Sequence, residues 1–211
     1  MIFQKQEIKG LNQRYRANLI NCVSGFKSLN LVGTISSSGE TNLAVMSQIF
    51  HLGADPALMG LIVRPSSVPR HSYENILDTG YYTFNHVNKN IVMQAHQTSA
   101  RYDRNDSEFK MTGLQEEYMH DFPVPFVKES NIKIGLKLEE EIRIAMNETI
   151  LLIGSIEVLF VPEVCLQEDG FIDLHEAGTI TSSGLDAYFT TSKLMRLSYA
   201  KTDKPIEKIH F

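Results

Sequence analysis

A mainly β architecture, a barrel of short antiparallel strands with a few helical decorations, is what this sequence predicts, and three observations predict it. From Ile132 to Ile144, apolar Ile132, Ile134, Leu136, Leu138, Ile142 and Ile144 alternate with polar residues, the two-residue period of a strand with one wet face. Ile150 to Val161 is apolar almost throughout, as expected of a strand covered on both faces. Between Leu31 and Phe50, two apolar-polar runs flank the polar cluster Ser37-Ser38-Gly39-Glu40, the pattern of a β-hairpin. Many strands spaced by turns, with few helical stretches, favour a barrel.

The elements follow in order. The hairpin pairs Leu31 to Ser36 with Thr41 to Phe50. Leu58 to Val63 and Tyr81 to Val87 are two further strands. Between them lies a short helix with Ile76 and Leu77 on its apolar side and Gly80 as its stop. Asn90 is placed to cap a helix running toward Ala100. Arg101 to Met119 is rich in Asp, Arg and Glu and reads as a surface excursion. Glu140 interrupts the alternation of its strand, so a bulge or turn is expected there. The Glu139-Glu140-Glu141 run reads as a solvated face. Leu185, Phe189, Leu194 and Leu197 suggest that the tail from Ser183 to Tyr199 is helical in part.

The chain has 211 residues and 43% hydrophobic residues, enough for a single domain, 1–211, to bury roughly 70% of its unfolded surface without a metal or disulfide staple. A net charge of −5 with no basic tail argues against nucleic acid as a partner. No apolar run approaches the roughly 18 residues of a membrane span, and MIFQKQEIKG does not read as a signal peptide. The two cysteines, Cys22 and Cys165, each stand alone in apolar stretches and read as buried free thiols in a reducing cytoplasm.

Most catalytic signatures are missing. There is no Walker loop, GxGxxG, CxxC, HExxH or GxSxG, and the seven histidines have no metal-ligand spacing. Ser24 and Lys27 form an SxxK without the partners that give it meaning. What the sequence does offer is a loop for an anion. Arg64, Ser66, Ser67, Arg70, His71 and Ser72 lie between the strand ending at Val63 and the helix that follows. Helix amino termini expose free N–H groups, and guanidinium forks pair bidentately with phosphate oxygens. The plainer reading is that Ser72 caps the helix while both arginines point into water. Binding groups without a nucleophile favour a bound cofactor that does the chemistry, so no catalytic residue and no metal ligand is assigned.

Several stretches, in this order, resemble the flavin reductase-like family of FMN-binding split-barrel proteins, which includes flavoredoxins. Asn42-Leu-Ala-Val-Met-Ser47 is similar to the family's N-x-A-x-x-S strand, and Asp55-Pro56 to its D-P step. Arg70-His-Ser-Tyr-Glu-Asn-Ile76 resembles its K/R-x-T-x-x-N-I helix start, with Ser72 in the threonine place. Thr79-Gly-Tyr-Tyr-Thr-Phe-Asn85 is similar to T-G-x-F-x-x-N. Ser99 to Tyr102, Ser107-Glu-Phe and Thr112-Gly-Leu114 resemble S-x-x-Y…D-E-F…G-L. Pro125 to Ser130 and Gly154 to Val158 complete a series spanning roughly residues 15 to 190. The chain departs from the pattern in having Val45 where proline is common. It also has Gly135 or Leu136 where cysteine or glutamate is common, which leaves the subfamily open.

The resemblance implies an FMN-binding split barrel of Greek-key type, usually a homodimer with both subunits lining each site. It places the FMN phosphate on Arg64 to Ser72 and the isoalloxazine edge along Met46, Ser47 and Gln48, with Asn85 and His86 near the same pocket. The activity implied is hydride transfer from NAD(P)H to FMN and onward to an acceptor. A flavoredoxin-type electron carrier without efficient NAD(P)H oxidation is the alternative. Less favoured is a degenerate barrel for another phosphorylated or tetrapyrrole ligand.

Overall fold

In a computed structural model that describes residues 1–65 and 69–211, the chain is mainly β. Seven strands, numbered here among themselves, form the large sheet: β1 Asn30–Ile35, β2 Thr41–Met46, β3 Ile49–Ala54, β4 Ala57–Val63, β5 Tyr81–His86, β6 Lys133–Ile144 and β7 Thr149–Phe160. Every neighbouring pair is antiparallel, in the order β2-β1-β5-β6-β7-β4-β3. The two edges, β2 and β3, are consecutive in the chain, separated only by Ser47 and Gln48. Two linking residues can span only about 10 Å. The sheet is therefore rolled until its edges meet at this seam, and Gln48, whose carbonyl accepts from Ile62 N–H (2.9 Å), extends the β3–β4 ladder up to it.

Rolling the sheet creates an inside. Val32, Leu61, Val63, Tyr82, Phe84, Ile134, Leu136, Ile150 and Leu152 fill it, and α3 (His71–Thr79) plugs it with Tyr73 and Ile76. Gly80, at φ 77°, ends α3 in the left-handed conformation that glycine adopts without strain. Outside, Leu29, Leu31 and Leu43 face a second cluster built with Ala95 of α4 (Val92–Gln97) and Phe109 of α5 (Glu108–Thr112). The strand β1 is thus covered on both faces. Helices α1 (Lys5–Gly10) and α2 (Gln13–Val23) bury no residue.

The β4 and β5 strands and the alternating strand stand where the sequence places them. The hairpin forms between β1 and β2, but its second arm, expected as one run from Thr41 to Phe50, stops at Met46 and resumes after Ser47 and Gln48 as β3. The expected irregularity near Glu140 is a bulge: Ile153 faces Glu140 and Gly154 faces Leu138, so Glu139 is the extra residue. Other expectations are corrected. Leu77 is exposed, and Tyr73 joins Ile76 on the inner face, because α3 plugs the barrel end-on. β7 is not covered on both faces. Beyond Ser155 it has left β4 and pairs only with β6, so Leu159 and Phe160 are exposed. Asn90 caps nothing; Asn88 Oδ1 accepts from Asn90 N–H in a local turn ahead of α4. The 101–119 excursion is anchored by buried Glu108 and Phe109. The tail from Ser183 contains no helix but the short strands Ala187–Phe189 and Arg196–Leu197. Cys165 is buried as expected, whereas Cys22, on the helix α2 that buries no residue, is exposed.

Candidate functional site

A cavity of about 1060 Å³ opens at the seam, at the upper end of what small-molecule sites usually offer. Met46, Ser47, Gln48, Arg64, Arg70, His71 and Ser72 all line it. Sequence-distant residues named for one ligand are thereby gathered into one space. Ser66 and Ser67 lie outside the described residues.

At one end the cavity meets an unfinished row of backbone donors. β2 is an edge strand, so every second N–H points away from the sheet. The first, on Leu43, donates to Glu108 Oε2 (2.8 Å), and the second, on Val45, donates to Thr98 Oγ1 (2.9 Å). Ser47 carries the next N–H of the row and lines the cavity. Among the described residues that N–H has no partner. Glu108 and Thr98 thus act as latches that hold β2 straight up to the point where a ligand edge would take over the pairing.

At the other end lies the start of α3. Its N-cap, Arg70, makes no side-chain cap bond. Ser72, read above as a possible cap, instead accepts from Asn42 Nδ2 (2.8 Å), a bond that ties the helix start to β2. Arg70 N–H donates to Glu74 Oε1 (3.1 Å), and Arg104 pairs with the other oxygen of Glu74. Arg104 also donates to Asn75 Oδ1 (3.4 Å), and Asn75 Nδ2 donates to Thr34 Oγ1 (3.2 Å). This chain of bonds fixes the first turn of α3, leaving its N–H groups toward the cavity. The Arg70 Nε is buried and has no acceptor among the described residues. An orphaned guanidinium N–H beside uncapped helix N–H groups is a fit for a phosphate.

Positive charge collects here although the chain is acidic overall. Arg64, Arg70 and Arg101 line the cavity, and among the described residues none of them has an ion-pair partner. Burial first, then the Arg64 and Arg101 charges, lower the Arg70 pKa. His71 is lowered too, by burial and then by Arg104, with Asp103 opposing. Buried Lys27, whose Nζ donates to Gly184 O (2.8 Å), is lowered mainly by burial. Burial raises the Glu108 carboxyl, and the Leu43 N–H opposes that shift.

Two expected positions do not belong to this space. Asn85 is fully buried; its amide donates to Leu31 O (3.1 Å) and Thr83 Oγ1 (3.0 Å), and its Oδ1 accepts from Val127 N–H (2.9 Å). Both its amide hydrogens and one lone pair of Oδ1 are engaged in joining β1, β5 and the 126–127 strand, away from the cavity. His86 bonds Thr179 Oγ1 (3.1 Å) away from the cavity, and burial pushes its pKa down to about 4. Conversely, composition sends 101–119 to the surface, yet 98–104 forms a cavity wall. The motif Ser99 to Tyr102 was the available signal for it. The β6–β7 hairpin tip (Asn147, Thr149) and Ser182 to Tyr188 close the remaining sides, and no local pattern marks them. Among the described residues, no three His, Cys, Asp or Glu gather as a metal site, and no helix is long and apolar enough to cross a membrane.

Comparison with known proteins agrees with this fold. The profile of the flavin reductase like domain matches residues 27–169. A crystal structure from Shewanella frigidimarina NCIMB 400, provisionally described as a flavin reductase with split barrel domain, is 54% identical, covers 95% of this chain and 100% of its own, and superposes with a TM-score of 0.92. Nitrilotriacetate monooxygenase component B from Bacillus cereus is 21% identical over 93% of this chain and 98% of its own, with a TM-score of 0.82. Flavoredoxin of Desulfovibrio vulgaris (Miyazaki F) is 22% identical over 85% and 92%, with a TM-score of 0.69. The last two establish likeness of fold.

Proposed function

The chain belongs to the flavin reductase-like family of split-barrel proteins, and from that membership we propose that it is an FMN-dependent oxidoreductase that takes hydride from NAD(P)H and passes electrons to an acceptor. The observation that carries the reading is a cavity with two complementary ends. Orphaned Arg70 Nε and the α3 start suit a terminal phosphate, and the free Ser47 N–H suits the polar edge of a flat heterocycle. Bound FMN would supply reversible two-electron chemistry, accepting hydride from a nicotinamide and releasing the electrons afterwards.

The chain's own residues do the rest. Arg64 and Arg70 bind the phosphate, and the Glu74–Arg104 pair holds the helix that carries Arg70. Glu108 and Thr98 keep β2 in register, so Met46, Ser47 and Gln48 present a rigid edge to the ring. Hydride transfer needs two stacked rings at reaction distance rather than an acid or base, and the roomy cavity supports a second ring beside the first. The reading includes the whole chain acting as one domain in the cytoplasm, and as a homodimer. Helix α2 buries no residue, and Val23 (74% exposed) and Phe26 (67%), which follow cavity-lining Asn21 in the chain, are apolar surface that a second copy would cover.

Mixing the FMN-loaded protein with NADH or NADPH in the absence of air tests the activity. Rapid bleaching of the flavin is expected. A flavin that stays oxidised would move the reading to an electron carrier of flavoredoxin type.

A further inference from the structure

The far wall of the cavity holds a side-chain pair that hydride transfer does not use. Tyr188, on the strand Ala187–Phe189, is half-buried and lines the cavity. Its Oη lies 2.6 Å from His96 Nδ1, and the two rings meet edge to face, with centroids 5.8 Å apart at 87°. His96 stands in the last turn of α4 and is exposed. The pair therefore runs from the cavity to solvent. Burial first, then the Asp186 charge, raises the Tyr188 pKa, so the phenol keeps its proton. With Nδ1–H of His96 donating to Oη, the phenolic O–H is left to point at a ligand. Leu29, Val45 and Leu185 line the cavity as well, an apolar setting for a flat ring.

We propose that Tyr188 is the proton donor of the acceptor half-reaction, that His96 resupplies it from water, and that the acceptor is a conjugated carbonyl compound of the quinone class. The proposal rests on the FMN oxidoreductase reading. A quinone gains two electrons and one proton as hydride from a reduced flavin, which is oxidised, and its second proton from Tyr188 Oη. Its two C=O π bonds give way to two O–H bonds and an aromatic ring. Tyr188 recovers its proton from His96 Nδ1 as Nε2 takes one from solvent. A phenol hydroxyl suits a carbonyl oxygen because it donates a hydrogen bond before it donates the proton.

The test separates this step from flavin binding and from hydride uptake. FMN affinity of the wild type, Tyr188→Phe and His96→Gln is measured first by quenching of flavin fluorescence. Each protein is then reduced with dithionite and mixed, without air, with menadione or with ferricyanide, which takes electrons singly and needs no proton. Both variants are expected to keep FMN affinity and ferricyanide reoxidation. Tyr188→Phe should lose about 100-fold or more in reoxidation by menadione, whereas His96→Gln, whose Tyr188 starts protonated, should keep the first turnover and slow under continuous turnover with NADH and menadione. Calorimetric binding of menadione to the oxidised protein should weaken about two- to ten-fold in Tyr188→Phe, the loss of one hydrogen bond. Equal slowing with both oxidants, or with neither, would overturn the relay. A wild type that binds no FMN would sink the reading beneath it and the relay together.

Discussion

Replacing Glu108 should unlatch the edge strand on which the site is built. Glu108 is 7% exposed, and its Oε2 accepts from Leu43 N–H at 2.8 Å. Glu108→Ala leaves that N–H buried without an acceptor, which costs about 1–3 kcal/mol. Glu108→Gln keeps an acceptor oxygen of similar reach and removes only the charge. The two variants diverge further with pH. Burial raises the Glu108 pKa above its ordinary 4.5, so the folded chain holds a proton that the unfolded chain releases. That contribution is fully present below about pH 4.5 and is lost as pH rises through the raised value. Glutamine has nothing to ionise. Glu108→Gln should therefore match the wild type near pH 5 and equal or exceed it at pH 8, while Glu108→Ala is weaker at both. Urea unfolding at the two pH values reads these differences from the transition midpoints. If Glu108→Gln proves as damaging as Glu108→Ala, the carboxylate charge rather than the Leu43 bond carries the role, and the latch argument fails.

Three further outcomes are expected. Thr98→Val removes the acceptor for Val45 N–H and should cost about 1–3 kcal/mol, seen as a Tm lower by several degrees; an unchanged Tm would remove Thr98 from the latch. His86 has a folded pKa of about 4 against an ordinary 6.5, so its share of stability is present above pH 6.5 and is lost as pH falls toward 4. The loss is about 3 kcal/mol, and His86→Gln should flatten acid unfolding over that window. Gly154→Ala would drive a methyl into Tyr82 Oη and the Lys137 carbonyl and should destabilise by about 1–3 kcal/mol in the same unfolding assay.

What could be read from the sequence was whatever repeats along the chain. The alternation from Ile132 to Leu138 is a local consequence of one wet face, and Gly80 ends α3 by its own backbone freedom. The seam could not be read this way. That Thr41–Met46 and Ile49–Ala54 are opposite edges of one sheet depends on the order of all seven strands. The site shows the same division. Met46 to Gln48 and Arg70 to Ser72 lie in motifs with a chemical rationale and do line one cavity. Asn85 was misplaced because a motif cannot tell an amide that binds a ligand from one that is fully buried and bonded to neighbouring strands. Arg104 shows a role that a correct surface reading leaves out. Its charged neighbourhood reads as surface, yet it pairs with Glu74 and so holds the helix start that carries Arg70. The tail after Ser183 carried apolar residues without a true helical period, and tertiary pairing made strands of it.

The central claim is that the Arg70 end of the seam cavity holds the phosphate of FMN. Titrating the protein with FMN and with FAD, followed by quenching of flavin fluorescence, tests it most directly when Arg70→Ala is run beside the wild type. One FMN per chain should bind, FAD should bind less tightly, and Arg70→Ala should weaken FMN by about 10- to 150-fold, the worth of one charge-assisted contact. FAD binding as tightly as FMN, or an Arg70→Ala protein with undiminished FMN affinity, would contradict it.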